Sequence, residues 1–299
     1  MTATPQTRRG FTLIETVTVA SVASVLMSLV VPGMQEARNV ARETECKNQL
    51  KQIGLALHNY HDVYRTFPPG WISRRPEGEG HPSTGWQTSI LPFVEQAPLY
   101  NRLDVTNAVY ECADGDVALL KKPLPQYRCP VDSVGDVNVF RGGWGTSNFT
   151  GNFGATPIAR WSESDFWPGH TESASYRIRD VRRYNGLFFA NSKIRIRDII
   201  DGTSNTFMVG EKCVVGRSGI WPGPRSNFHE SDVVSDGSYA SKFNRSDTGY
   251  SSRHLGGMLM FLLCDGSVRP VHESLDSKPE LGMLQKLSAR NDGQPVGEF

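Results

Sequence analysis

Arg8-Arg9-Gly10-Phe11-Thr12-Leu13-Ile14-Glu15 opens onto an uncharged stretch that runs from Thr16 to Gln35. The 23 residues from Phe11 to Gly33 would be roughly 35 Å long as a helix, enough to cross a hydrocarbon core of about 30 Å. Leu13, Ile14, Val17, Val19, Val22, Val25, Leu26, Leu29 and Val30 supply its apolar surface. The basic pair at the front favours the cytoplasmic side, so the rest of the chain is expected to face outward. Glu15 stands out, because a carboxylate within a membrane helix costs about 2.5–3.5 kcal/mol at the centre, less near an end, and is usually there for a partner.

Three readings compete for this segment. Ser21-Val22-Ala23 imitates the cleavage site of an ordinary secretory signal, and a plain uncleaved anchor is a second possibility. Neither accounts for Glu15. The third rests on the octet itself, which resembles the class III leader of type IV prepilins and type II secretion pseudopilins. That resemblance implies cleavage between Gly10 and Phe11 by a prepilin peptidase, with Arg8, Arg9 and Gly10 serving recognition. It also implies N-methylation of Phe11, which keeps the amine's charge. Glu15, the fifth mature residue, would then pair with the Phe11 ammonium of a neighbouring pilin or pseudopilin subunit. Pro32 matches a proline common in pilin helices, where it bends or locally opens the helix.

The helix is expected to continue past the membrane. Cys46, Leu50, Ile53, Leu57, Tyr60 and Tyr64 recur at helical spacing and form one apolar stripe. Pro68-Pro69-Gly70 then stops it. Such a stripe needs a cover, and a sheet is the natural one. The composition agrees: 29 glycines and 18 prolines favour turns and strands over a bundle. The expected class is α+β and pilin-like, a long N-terminal helical spine against an antiparallel sheet with an enlarged β-rich domain beyond. Its parts are a leader at 1–10, a helix at 11–66 (spanning about 11–33, stem about 34–66) and an exported domain at 67–299. With 32 basic and 31 acidic side chains, no broad field invites nucleic acid.

Several blocks punctuate the domain: Asn48-Gln49-Leu50-Lys51-Gln52 in the stem, Gly85-Trp86-Gln87-Thr88-Ser89, Arg128-Cys129-Pro130, Asp201-Gly202-Thr203-Ser204-Asn205-Thr206, Gly210-Glu211, and an element from His254 to Asp265-Gly266. Together these are similar to the large prepilin-like family known mainly from planctomycete bacteria (domain of unknown function 1559). The resemblance implies location and architecture and no reaction. Its C-terminal signature has nine residues between the histidine and Asp-Gly; Leu255 to Cys264 makes ten here. Either the strand carries a one-residue bulge or the histidine's role is altered.

Met258 to Cys264 is an apolar run, and Asp265-Gly266 predicts a two-residue hairpin turn. Ser267 to Val271 returns, with Pro270 demanding a sheet edge, giving a C-terminal hairpin at about 256–272. His254 is then a hydrogen-bonding residue at the hairpin's entrance; the sharper alternative is a catalytic or metal-binding pair with Asp265. The loop from Asp201 to Asn205 is either a tight turn bonded to its own backbone or an oxygen-rich cation site. His58 and His61 share a helical face but lack a third ligand. Gly142, Gly143, Gly145, Gly151 and Gly154, with Trp144, Phe149 and Phe153 among them, read as aromatic core or as a platform for sugars.

Of five cysteines, Cys112 and Cys129 flank a loop in the exported part, where a disulfide is possible, and Cys213 and Cys264 are a second conceivable pair. Cys46 lies on the stem stripe as a buried thiol. No cofactor is expected, and no nucleophile or acid–base group assembles by spacing, so the chain is not expected to be an enzyme. The expected function is a structural, pseudopilin-like subunit for a type II secretion or type IV pilus-like envelope structure. It would be single-pass in the inner membrane with its N-terminus cytoplasmic, and its partners would be the peptidase, other subunits and inner membrane lipid. The alternative is a membrane-tethered surface module that binds polysaccharide or an envelope protein without polymerising, through a cleft lined by Trp86, Trp144, Trp161, Trp167 or Trp221.

Overall fold

The structure, a computed structural model, describes residues 12–72, 84–103, 105, 117–133, 135–155, 184–213, 217–224, 232–238, 243–244, 248–275 and 282–297. Arg8, Arg9, Gly10 and Phe11 lie outside the described residues. The chain forms two compact units, Met1–Arg42 and Glu43–Phe299. One helix, α1 (Leu13–Tyr64), contributes to both, and Pro32 lies inside it without ending it.

In the first unit the apolar side chains Leu13, Ile14, Val17, Val22, Leu26, Leu29 and Val30 are all exposed. The few hydroxyls among them turn back onto the helix. Thr16 donates to the Thr12 carbonyl (3.0 Å), Ser24 to Ser21 (2.8 Å) and Ser28 to Val25 (2.7 Å). A helix whose polar groups are satisfied internally and whose surface is apolar all round suits hydrocarbon. It is long and apolar enough to cross a membrane.

In the second unit α1 shows the expected stripe. Cys46, Leu50, Ile53, Ala56 and Leu57 are fully buried. Tyr60 is half-buried and stacks near Tyr64 (4.4 Å between rings), but Tyr64 itself is exposed. The helix ends earlier than the proline pair: Arg65 adopts a left-handed conformation (φ 62°) and its N–H still reaches the His61 carbonyl. The compact unit therefore begins at Glu43 rather than after the helix, because the stem is part of its core.

The sheet that covers the stem has five strands among the described residues, in the order β6-β3-β4-β7-β8. They are β3 (Phe149–Gly154), β4 (Phe207–Glu211), β6 (Val234–Asp236), β7 (Met258–Leu263) and β8 (Val268–His272). A smaller sheet joins β1 (Val137–Asn138), β2 (Trp144–Ser147) and β5 (Gly219–Ile220). The pairing is antiparallel except for β3 with β6, which is parallel, a departure from the expected all-antiparallel sheet. A short C-terminal helix, α5 (Met283–Ser288), completes the unit, and short helices α2 (Trp86–Ser89), α3 (Ala97–Arg102) and α4 (Val117–Leu120) precede the strands.

β7 explains how the sheet is held. Its residues alternate between two cores, as the period of a strand requires. Met260 and Leu262 join the core that contains the stem residues, while Leu259, Phe261 and Leu263 join Phe207, Tyr250, Leu284 and Leu287 on the other face. A continuous apolar run is what a strand covered on both faces needs. The helix approaches β7 so closely at Gly54 that a Cβ there would sit 2.8 Å from Leu262 Cδ1.

Two details of the C-terminal hairpin differ from expectation. The turn has three residues rather than two: Leu263 N–H donates to Ser267 O, Gly266 N–H donates to Leu263 O, and only Gly266 is left-handed (φ 83°). That is a turn closed by a left-handed glycine, not a two-residue Asp-Gly turn. The anticipated bulge is not in β7, whose register with β8 is regular from Met258 to Leu262. It lies opposite, in β4, where Phe207 pairs with Leu263 but Val209 with Leu262. Met208 and Val209 consequently both reach the stem-side core. Pro270 does sit on the sheet's edge strand.

Candidate functional site

The stem helix, two loops and the end of a strand bring four side chains to one buried point. Cys46 comes from the stripe of α1. Cys129 follows a short 3-10 turn at Pro125–Tyr127. Glu211 is the last residue of β4, and His254 precedes the turn at Leu255–Gly257 that leads into β7. All four are buried, and their ligand atoms lie within 4.8 Å of one another.

Local structure fixes each of them. Asn148 stands where the chain passes from β2 to β3; its Oδ1 accepts the Cys129 N–H (3.0 Å) and its Nδ2 donates to the Lys212 carbonyl (3.2 Å). One side chain thus holds the Cys129 loop against the end of β4. Glu211 Oε2 accepts the N–H of Met260 (2.8 Å), which orients the carboxylate. Its other oxygen, Oε1, accepts from the Cys46 thiol (2.7 Å) and meets His254 Nε2 at 2.9 Å. The same Nε2 lies 3.5 Å from Cys129 Sγ.

These contacts set the charges. Burial alone would depress the His254 imidazole, but its bonds to Cys129 and Glu211, with their negative charge, outweigh that and push it up to about 10. Cys129 is lowered, first by the hydrogen bond from Cys46 and further by His254, against the opposing effect of burial. Cys46 is raised by burial first and then by its neighbours Cys129 and Glu211. Without a metal, Cys129 and His254 each favour the other's charged form, while burial favours the neutral form of Cys46.

A cysteine, a histidine and an acid in contact suggest a nucleophile relay, yet the geometry is wrong for one. In a relay the acid orients one ring nitrogen and the nucleophile meets the other. Here Glu211 and Cys129 both face Nε2, and all four residues are buried.

The other sequence candidates fall elsewhere. Asp265 is exposed at the far end of β7 from His254, its Oδ1 accepting the Ser267 N–H (2.8 Å); the two do not form a pair, because the intervening strand holds them apart. Asp201 anchors the C-terminal segment through the N–H groups of Asp292 (2.7 Å) and Gly293 (2.8 Å), and Asn205 Nδ2 bonds back to the Asp201 carbonyl (3.4 Å). That loop is the self-bonded turn. His58 and His61 pack their rings on Phe67 at 5.9 and 4.9 Å. Cys129 is a free thiol whose side chain faces His254, and its expected partner Cys112 lies outside the described residues. Cys213 and Cys264 are buried and not joined in a disulfide.

Glu15, exposed, accepts from both the N–H (2.9 Å) and the hydroxyl (2.8 Å) of Thr12, while its own N–H points to that hydroxyl (3.4 Å). This is a reciprocal cap at the helix start. Two of the candidate tryptophans, Trp86 and Trp221, do not line a cleft. Both are fully buried, and their indole N–H groups donate to the carbonyls of Val233 (2.9 Å) and Lys122 (3.0 Å). Two of the glycines are seats for aromatic rings: a Cβ at Gly145 would run into Trp221, and one at Gly151 into Phe188. Trp144 is half-buried against this core, and Trp161 and Trp167 lie outside the described residues.

A family model described as a protein of unknown function (DUF1559) matches residues 35–278, more than half of the chain. No curated protein and no solved structure matches. The match and the apolar N-terminal helix together fit a membrane-anchored surface protein with a single span.

Proposed function

The chain belongs to the DUF1559 family, a membership that assigns no activity, and from that premise we propose that it is a pseudopilin-like structural subunit. A prepilin peptidase cuts between Gly10 and Phe11 and methylates Phe11. The mature helix is held in the inner membrane with the β-rich head outside, and subunits assemble into a type II secretion or type IV pilus-like structure. The observation that carries this reading is the octet Arg8 to Glu15 running directly into one long helix, apolar all round at first and striped after Cys46. The chain is a substrate of processing chemistry and not itself an enzyme.

Glu15 supports the reading without depending on it. Its cap on Thr12 engages one carboxylate oxygen, Oε2, and the ammonium of a neighbour's Phe11 would set a full opposite charge against the same carboxylate. Trp86 and Trp221 are buried, so these two rings do not support the alternative of a sugar-binding module.

Mass spectrometry of the N-terminal peptide from native membranes tests the proposal. N-methyl-phenylalanine at position 11 is the expected result; a mature chain that retains Met1, or one trimmed beyond Ala23, overturns it. Glu15→Ala should leave membrane insertion intact and weaken assembly.

A further inference from the structure

We propose that Cys46, Cys129, Glu211 and His254 bind one Zn²⁺ in a closed, four-coordinate structural site that ties the stem helix to the sheet. The inference rests on the head alone and holds whether or not the subunit polymerises.

The donor set is the first argument. Two sulfurs, an imidazole nitrogen and a carboxylate oxygen are the ligand types that zinc takes, and their softness disfavours Mg²⁺ and Ca²⁺. Fit is the second. Zinc bonds of about 2.0–2.3 Å place tetrahedral ligands roughly 3.3–3.8 Å apart. The observed separations are 2.7 Å for Cys46 to Glu211, 2.9 Å for Glu211 to His254 and 3.5 Å for Cys129 to His254, and none exceeds 4.8 Å. Modest outward shifts of the two closest contacts make room for the ion. The third argument is compactness: Nε2, both sulfurs and a carboxylate oxygen of Glu211 all lie within 4.8 Å of one another, whereas hydrogen-bonded relays string their atoms in a line.

Supporting bonds complete the picture. The Met260 N–H holds the non-ligating oxygen of Glu211, and Asn148 fixes the Cys129 backbone; outer partners of this kind orient metal ligands. The bland reading is a buried His–Glu ion pair with two small hydrophobic thiols beside it. It leaves unexplained why two sulfurs point at the pair from separate segments, and why charged groups occupy a position where apolar side chains would pack at less desolvation cost. A Cys46–Cys129 disulfide would likewise leave His254 and Glu211 without a purpose. When zinc enters, the thiols and the imidazole give up their protons to solvent, and the site passes from hydrogen-bonded to coordinated.

No donor is a sequence neighbour of another: Cys46 and Glu211 are 165 residues apart, Cys129 and His254 are 125 apart. Such a site does not exist in the unfolded chain, so metal binding adds directly to the head's stability. With four protein ligands and no open position, it is of the structural kind.

The full chain, purified in detergent without added metal or chelator, should carry about one zinc per polypeptide by elemental analysis. After replacement by Co²⁺ it should show thiolate-to-cobalt charge transfer and tetrahedral d–d absorption. Cys129→Ser and His254→Asn should each lower zinc content at least about tenfold, while Cys213→Ser, a buried thiol outside the cluster, keeps it. Should the variants misfold, the wild-type chain still decides: a chelator should lower its melting temperature and Zn²⁺, but not Mg²⁺ or Ca²⁺, restore it. Zinc-free wild-type protein, full zinc in both ligand variants, or a Cys46–Cys129 disulfide found by non-reducing peptide mapping overturns the proposal.

Discussion

The two halves of α1 are the same helix with opposite fates. From Leu13 to Met34 its large apolar side chains are exposed; from Cys46 to Leu57 they are buried, Leu55 excepted. The difference lies in arrangement more than in content. The first half is apolar on every side and its hydroxyls bond to its own carbonyls, so it presents no face on which a protein surface is specified. The second gathers most of its apolar residues on one stripe, leaving Leu55 and Val63 exposed, and places Gly54 where the sheet must come close. All-round apolarity selects a solvent; a stripe selects a neighbour.

The largest effect should come from breaking the stripe. Leu50→Ala removes a fully buried side chain and should destabilise the head by about 2–5 kcal/mol in denaturant unfolding. The matching change in the other half, Leu26→Ala, should leave the head's unfolding midpoint where it is; equal effects of the two would end the contrast. Next is the converse perturbation. Val22→Arg puts a charge near the middle of the span and should disfavour insertion by about 2.5–3.5 kcal/mol, seen as loss of the chain from the membrane fraction. A third, smaller change sharpens the closeness of helix and sheet. Gly54→Ala drives a methyl toward Leu262 and should cost about 1–3 kcal/mol of head stability, although alanine is the better helix former. A stabilised variant would mean that Leu262 moves aside freely.

The stem stripe was legible because the helical period writes itself into local sequence: four of its six positions are buried as their spacing demands, and only Tyr64, at the very end, is exposed. The β7–β8 hairpin was legible for the same reason, yet its loop length was not, since Asp-Gly serves two-residue and three-residue turns alike. The parallel pairing of β3 with β6 leaves no local trace. The buried cluster was hidden by distance in sequence. Cys129, Glu211 and His254 each stand in a recognisable block, and Cys46 stands on the stripe, but nothing in spacing says that blocks 43 or 125 residues apart share a point. The signal that was available is chemical. A glutamate ending an otherwise apolar strand, a lone cysteine on a buried helix face and a histidine at a strand entrance are all groups that a core must neutralise somewhere. Spacing alone pointed His254 to Asp265, along the chain, when its partners lay across it.

The smallest effect on stability carries the sharpest question about the first half of the helix. Glu15 has two explanations: a cap for Thr12, and an anion for the amine of another subunit. Glu15→Gln separates them, because an amide oxygen can still accept from Thr12 while the charge is gone. The cap predicts little change, since a carboxylate at a helix N-terminus is worth only about 0.3–1 kcal/mol over a neutral group, and membrane content and head unfolding should be unaltered. Pairing with an ammonium predicts a selective loss of assembly, visible as fewer crosslinked or filamentous subunits at equal expression. Assembly at the normal level in Glu15→Gln, with the mature Phe11 terminus verified, would reduce Glu15 to a capping residue. The first half of α1 would then be an anchor with no register of its own.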